Sequence, residues 1–167
     1  MTELCILYCL HKRDLTIYSV RKRISELFGA FTKPSHGTIY PALKKLTDEG
    51  CVTVSETLSD GGKKSSFFSI TEKGKKRFVE LMTSDFSDNP SVFLNELNIR
   101  ISSMGVLNSA IRQICAEKCL KYADLYITTT ERTINDEYSG VDDFQKAVMK
   151  NSVDSLKQLI KVLNSLE

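Results

Sequence analysis

The chain has 167 residues, 41% of them hydrophobic, and a formal net charge of +2. That length suits one compact domain, or a small domain carrying a helical extension, and the composition excludes a disordered tail. No apolar run approaches the roughly 20 residues that span a bilayer, so no membrane partner is expected.

The start, MTELCILYCLHKRDL, has a short apolar core but neither a basic leader nor a small-residue cleavage site. It reads as a first helix through Leu4, Ile6, Leu7 and Leu10, and a cytoplasmic location is expected. Thr16 is placed to cap a second helix, with Ile17, Val20, Ile24, Leu27 and Phe28 inward and Gly29 closing it. A third helix runs from Ser35 to Gly50. Ser35 is placed to accept from the backbone N–H groups of its first turn, and Ile39, Ala42, Leu43 and Leu46 recur at helical spacing. Three helices with short connections form a helix-turn-helix core.

Val52, Val54 and Glu56 then alternate with Thr53, Ser55 and Thr57, the period of a strand. Ser59 to Lys64 is a turn whose Gly61 and Gly62 tolerate positive φ. Ser66 to Thr71 returns as the partner strand, with Phe68 and Ile70 on one face. A basic helix follows over Lys75 to Met82, with Phe78, Leu81 and Met82 as its apolar stripe. The polar stretch Ser84 to Pro90 marks a break. Beyond it the pattern predicts helices over Val92–Met104, from Asn108 to about Tyr138, and over Val141–Leu166. In the last, Met149, Val153, Leu156, Ile160 and Leu163 take steps of four and three, as in a coiled-coil seam.

Charge is distributed unevenly. Residues 1–84 hold 14 Lys and Arg against 9 Asp and Glu, whereas residues 85–167 hold 9 against 12. A basic front and a mildly acidic rear suit a chain that touches phosphate with its front half alone. The five cysteines, Cys5, Cys9, Cys51, Cys115 and Cys119, are odd in number and form no Cys-x-x-Cys. With only His11 and His36 to join them, reduced thiols are expected, with no metal and no cofactor. Gly61-Gly62 lacks a following Gly-Lys-Ser/Thr, and no His and carboxylate spacing suggests hydrolysis, so an enzyme is not expected.

A helix with a polar to basic outer face, then strand, basic turn and strand, is the order in which a winged-helix domain lays a recognition helix and wing onto DNA. The run Ser35-His36-Gly37-Thr38-Ile39-Tyr40-Pro41-Ala42-Leu43, with FFSITEKGKKRF further on, resembles the PadR family of transcriptional regulators over roughly the first half of the chain. The fold expected is mainly α with a small β-hairpin wing. A winged helix-turn-helix domain would occupy residues 1–84 and a helical dimerisation arm residues 85–167. The resemblance implies that Ser35, Gly37, Thr38, Tyr40 and the wing Lys64 lie near DNA. Lys33, His36, Lys44, Lys45 and Lys63 join them as candidates by charge and position. Tyr18 is a further candidate, although it follows Ile17 where family members often carry glycine.

Phosphate contacts position such a protein and base-edge contacts specify sequence. Gly37 would remove a side chain where the helix approaches the duplex. Pro41 leaves an upstream carbonyl without its helical donor. The rear half is expected to form the homodimer through Met149, Val153, Leu156, Ile160 and Leu163, although an intramolecular helical hairpin would produce the same pattern. The resemblance also implies repression and a small-molecule effector near the dimer interface. Tyr122 and Tyr126 are its candidate lining, although the chain lacks the tryptophan some relatives stack on a ligand. Two alternatives stay open. One is a winged-helix module that binds a protein instead of DNA, and the other a DNA-binding regulator switched by oxidation of Cys115 or Cys119.

Overall fold

Residues 2–12 are apolar on nearly every side of a helix, and such a helix belongs inside its domain. The computed structural model describes residues 1–58 and 64–165, without the side chains of His36 and Leu58. Most of the expected wing turn, including Gly61, Gly62 and Lys63, therefore lies outside the described residues, as do Leu166 and Glu167. The chain divides into two compact units, Met1–Ile111 and Arg112–Glu167.

In the first unit, α1 (Thr2–Lys12) buries Leu4, Cys5, Ile6, Leu7, Cys9 and Leu10. It packs against α2 (Ile17–Phe28), α3 (His36–Asp48), α4 (Glu72–Thr83) and β2 (Lys64–Ile70). Tyr8 of α1 meets Phe28 of α2 edge-on, with ring centroids 5.4 Å apart, and lies 6.4 Å from the ring of Phe78 in α4. Each well-placed aromatic pair adds about 0.5–1.5 kcal/mol beyond the area it buries. Thr16 caps α2 as its chemistry predicts, its hydroxyl accepting from the Ser19 N–H at 3.3 Å. Val20, Ile24 and Phe28 are buried, whereas Leu27, expected inward, is exposed at the margin of the buried arc.

β1 (Val52–Leu58) pairs antiparallel with β2, from Val52 opposite Ile70 to Leu58 opposite Lys64. The hairpin is tied down on its other side by Leu15, whose N–H donates to the Phe68 carbonyl at 3.1 Å and whose carbonyl accepts from the Phe68 N–H at 2.9 Å. A one-residue bridge has no periodicity, so no pattern announces it. Val52 is buried but Val54 is exposed, which shows the strand leaving the body of the unit after its first residue.

The start of α4 is built on close approach. Thr71 accepts from the Gly74 N–H at 3.1 Å and donates to the Gly50 carbonyl at 2.8 Å. A Cβ at Gly74 would stand 2.1 Å from the Cys51 carbonyl oxygen, so only glycine lets α4 rest on the α3–β1 connection. Asn89 caps α5 (Pro90–Ser103) by accepting from the N–H groups of Ser91 and Val92. A 3-10 turn follows over Met104–Val106. The sequence break at residues 84–90 thus lies inside the first unit, and the compact units part after α5 and not at the break.

The second unit holds most of α6 (Ser109–Asn135) and all of α7 (Asp143–Asn164). Gly140 reverses the chain at φ 67°, and Asp142 and Gln145 form a reciprocal capping box at the start of α7. The two helices meet where the Tyr126 and Ser152 hydroxyls lie 3.1 Å apart and where Lys157 donates to Glu131 at 2.7 Å. No described helix is long and apolar enough to cross a membrane.

Candidate nucleic-acid interface

The buried side of α3 is set by Ile39, Leu43 and Leu46, each at most 1% exposed. Its end is set by Gly50, whose φ of 71° favours glycine. The opposite side is thereby presented to solvent. Thr38, Tyr40, Pro41 and Lys44 are exposed on it, with more than half of Tyr40 accessible. The His36 side chain lies outside the description.

The start of α3 departs from expectation. Ser35 gives it no side-chain cap, and its hydroxyl instead lies 3.0 Å from that of Thr38. The Ser35 carbonyl accepts from the Thr38 and Ile39 N–H groups, both at 3.0 Å. Two short polar side chains therefore engage each other at the exposed, electropositive end of the helix. Gly37 sits in this first turn with helical backbone. The nearest atom that a Cβ there would meet is the Ser35 hydroxyl oxygen at 3.6 Å, an ordinary contact. Neither backbone conformation nor internal packing requires glycine at this position. One turn on, Pro41 has no N–H to offer the Gly37 carbonyl.

The basic residues fall into two groups. Lys44 donates to Asp48 at 2.9 Å, one turn along the same exposed face. Lys45 turns away, donating to Glu3 of α1 at 2.6 Å with Glu49 at 3.9 Å. Glu3 also accepts from Arg77 of α4 at 3.4 Å. Burial pushes the Glu3 carboxyl up, but hydrogen bonds and charge from Lys45 and Arg77 outweigh it and hold the group below its usual value. Lys45, expected beside Lys44 on one basic face, is thus tied to the helices behind α3.

At the start of α3 the structure gathers Arg21 and Ser25, which the sequence pattern had not singled out, beside the candidates Tyr18, Lys33 and Ser35. Tyr18, Arg21 and Ser25 follow at helical spacing on the exposed face of α2, with Tyr18 72% exposed. Arg21 and Ser25 share a surface hollow with Lys33, Pro34 and Ser35. An adjoining hollow is lined by Tyr18, Arg21, Lys22, Ser25 and Glu26. Arg21 lies in both, at the junction of α2 with the start of α3. The run Arg21-Lys22-Arg23, set beside Tyr18 on a helical wheel, is the signal that could have found it. In the wing, Lys64 is exposed and 3.9 Å from Glu56 across the hairpin, while Lys63 lies outside the described residues.

The rear half differs from its reading in one respect. Val153, Leu156 and Leu163 of the heptad pattern are each 3% exposed within the single chain, and Met149 and Ile160 are half-buried. The apolar side chains that α7 does present are Phe144, Val148 and Val162, with Ile114 and Leu125 exposed on α6. Tyr122 and Tyr126 are half-buried, and the Tyr126 hydroxyl is engaged with Ser152.

Thiol chemistry finds little access. Cys115 and Cys119 are 1% and 2% exposed, and burial pushes the Cys5 and Cys9 thiols up to about 12. Among the described residues no three of His, Cys, Asp and Glu gather as metal donors.

Comparison with known proteins gives one family. Residues 6–80 match the model of the transcriptional regulator PadR-like family. The negative transcriptional regulator PadR of Bacillus subtilis (strain 168) is 37% identical over 71 residues, which span 42% of this chain and 39% of that protein. The crystal structure of Bacillus subtilis PadR in complex with operator DNA is 21% identical, covering 98% of this chain and 95% of that one with a TM-score of 0.49. A PadR-like transcriptional regulator from Bacillus cereus is 29% identical, covering 47% of this chain and 74% of that one with a TM-score of 0.41.

Proposed function

We propose that this chain, whose residues 6–80 match the model of the transcriptional regulator PadR-like family, acts as a homodimeric repressor that reads a pseudo-palindromic operator. The observation that carries this reading is Gly37. Glycine in a helix costs up to about 1 kcal/mol relative to alanine. Here neither φ nor internal crowding explains it, since a Cβ would meet only the Ser35 hydroxyl at 3.6 Å. The reason for the missing side chain then lies outside the molecule, on a surface that comes close to the first turn of α3. A duplex groove is such a surface, and the basic surroundings favour it over a protein partner.

In this reading Gly37, Thr38 and Tyr40 meet the groove, and Ser35 lies at its edge. Arg21, Lys33 and Lys44 meet phosphates, with Tyr18 and Ser25 beside them and Lys64 on the wing. The phosphate contacts fix register, and the first turn of α3 supplies base-edge contacts. The dimer forms through the rear helices. Phe144, Val148 and Val162 are proposed as its contact in place of the inward seam, because apolar side chains left in solvent are those that gain by covering.

A small-molecule effector acting through the second unit belongs to the same proposal, with Tyr122 and Tyr126 as candidate lining. Bacillus subtilis PadR, whose structure with p-coumaric acid is known, is the similar protein that motivates it. Selection of bound duplexes from a random pool by the full chain tests the reading. A palindrome with half-sites about 34 Å apart, bound with affinity that falls steeply with salt, is expected. Equal recovery of all sequences, or affinity indifferent to salt, would overturn it.

A further inference from the structure

We propose that Glu3 is a positioning residue for the DNA-reading surface: it fixes the flank of α3 against α1 and α4 and withholds Lys45 and Arg77 from phosphate. The inference rests on the DNA-reading proposal and adds to it a residue far from the exposed face.

Glu3 sits at the start of α1 and meets Lys45 in the last turn of α3, whereas Arg21 and Lys33 gather by Ser35 at its first. Its side chain is 19% exposed, against 54% for Lys45 and 36% for Arg77, so the carboxylate forms the inner member of the cluster. Lys45 reaches it at 2.6 Å from α3, and Arg77 reaches it at 3.4 Å from α4. Each cation has a second carboxylate on its own helix, Glu49 at 3.9 Å from Lys45 and Glu80 at 3.2 Å from Arg77. Two cations thus stand among three carboxylates, so the charge of each is already met within the cluster. The start of α3, where α2 adjoins it, exposes Arg21 and Lys33.

That asymmetry orients the helix. A polyanion is drawn to the start of α3, where Arg21 and Lys33 are exposed, more than to Lys45 and Arg77, whose charges are already paired. The bridge also links three helices through one group, so it resists rolling of α3 on α1 when the duplex pulls on Tyr40 and Lys44. Removing the Glu3 charge frees two cations at once. Phosphate would then be contacted near both ends of α3, with less discrimination between sequences.

The test uses the full-length protein, the duplex enriched by selection and a duplex of random sequence. Affinity is measured against salt for wild type, Glu3→Gln, Glu3→Asp, Lys45→Met and Lys33→Ala. The expected results are a slope unchanged in Lys45→Met, a slope flatter by about 1 per protomer in Lys33→Ala, and a slope steeper by about 1 to 2 per protomer in Glu3→Gln. Random-sequence affinity should rise at least several-fold in Glu3→Gln, and Glu3→Asp should behave as wild type. Flattening in Lys45→Met equal to that in Lys33→Ala would make Lys45 a phosphate contact and overturn the proposal. Wild-type slope and selectivity in a folded Glu3→Gln would overturn it as well. If Glu3→Gln does not fold, Lys45→Met still decides between the two roles. Wild-type protein with no salt-dependent affinity for either duplex defeats the DNA-reading proposal itself, which is a different outcome from these.

Discussion

Arg100 of α5 donates to the carbonyl of Ser84, the residue that ends α4, at 2.6 Å. Its other terminal nitrogen donates to the Ser84 hydroxyl at 3.0 Å and the Asp85 carbonyl at 3.1 Å. The same guanidinium lies 4.0 Å from the centre of the Phe86 ring, and the residue is 3% exposed. A buried cation is therefore satisfied by carbonyls, an aromatic face and the Glu96 carboxylate 3.9 Å away, at the end of a helix where the dipole is negative. Its five donors in a planar fork suit this task, and lysine's point charge does not. Arg100→Met should destabilise the first unit by about 3 kcal/mol, because several buried carbonyls lose their donor together. Urea unfolding followed by helical circular dichroism measures this, and a loss below about 1 kcal/mol would show that water replaces the guanidinium.

Gly37→Ala separates internal from external demands on one atom. Space for the Cβ exists, so thermal stability should hold or rise by up to about 1 kcal/mol. Operator affinity should fall by tenfold or more. Melting temperature and affinity read on the same sample decide the matter. A variant that binds as well as wild type removes Gly37 from the interface.

Tyr40→Phe takes away one hydroxyl from an exposed ring, so folding should be unaffected. Binding should weaken by about 1 kcal/mol, the net worth of one hydrogen bond. Arg21→Ala should instead act on all duplexes alike, flattening the salt slope by about 1 per protomer. Finding that Arg21→Ala alters sequence preference but not salt dependence would reverse the assignment of positioning and reading.

The two faces of α7 make opposite forecasts. Leu156→Ala, in a side chain 3% exposed within one chain, should cost about 2–5 kcal/mol of stability. Phe144→Glu with Val148→Glu should leave the helical signal intact and produce a monomer in sedimentation. Persistence of the dimer in that double variant would return the interface to some other surface.

Acid should act through Glu3 in a defined direction. Its folded-state pKa lies below the usual 4.5, so its contribution to stability is complete above that value and is lost as pH falls through the lowered one. Its neighbours Lys45 and Arg77, held above their usual values by their carboxylate partners, stay charged throughout this range. The difference in urea midpoint between wild type and Glu3→Gln should therefore shrink as pH is lowered from about 6 to about 3. A difference that does not change with pH would mean that the bridge contributes nothing through its charge.

Much of this molecule follows from local pattern. The helices, the two strands, the Thr16 cap and the Gly50 stop were legible because each depends on residues within a turn or two of one another. The solvent face of α3 was legible for the same reason, since burying Ile39, Leu43 and Leu46 leaves only one side for Thr38, Tyr40 and Lys44. What stayed hidden depended on distant partners. Lys45 lies 42 residues from Glu3, and nothing in its surroundings distinguishes it from Lys44 until α1 is packed beside α3. Leu15 and Phe68 share a bridge that has no repeat to betray it. The heptad spacing of α7 established that one face would be buried, but periodicity carries no label for what buries it. Only the folded chain shows Val153, Leu156 and Leu163 covered within one molecule and Phe144 and Val148 left in solvent. Periodicity is a property of one helix, whereas the choice of partner is a free energy shared between two surfaces, and the second surface comes from elsewhere in the chain.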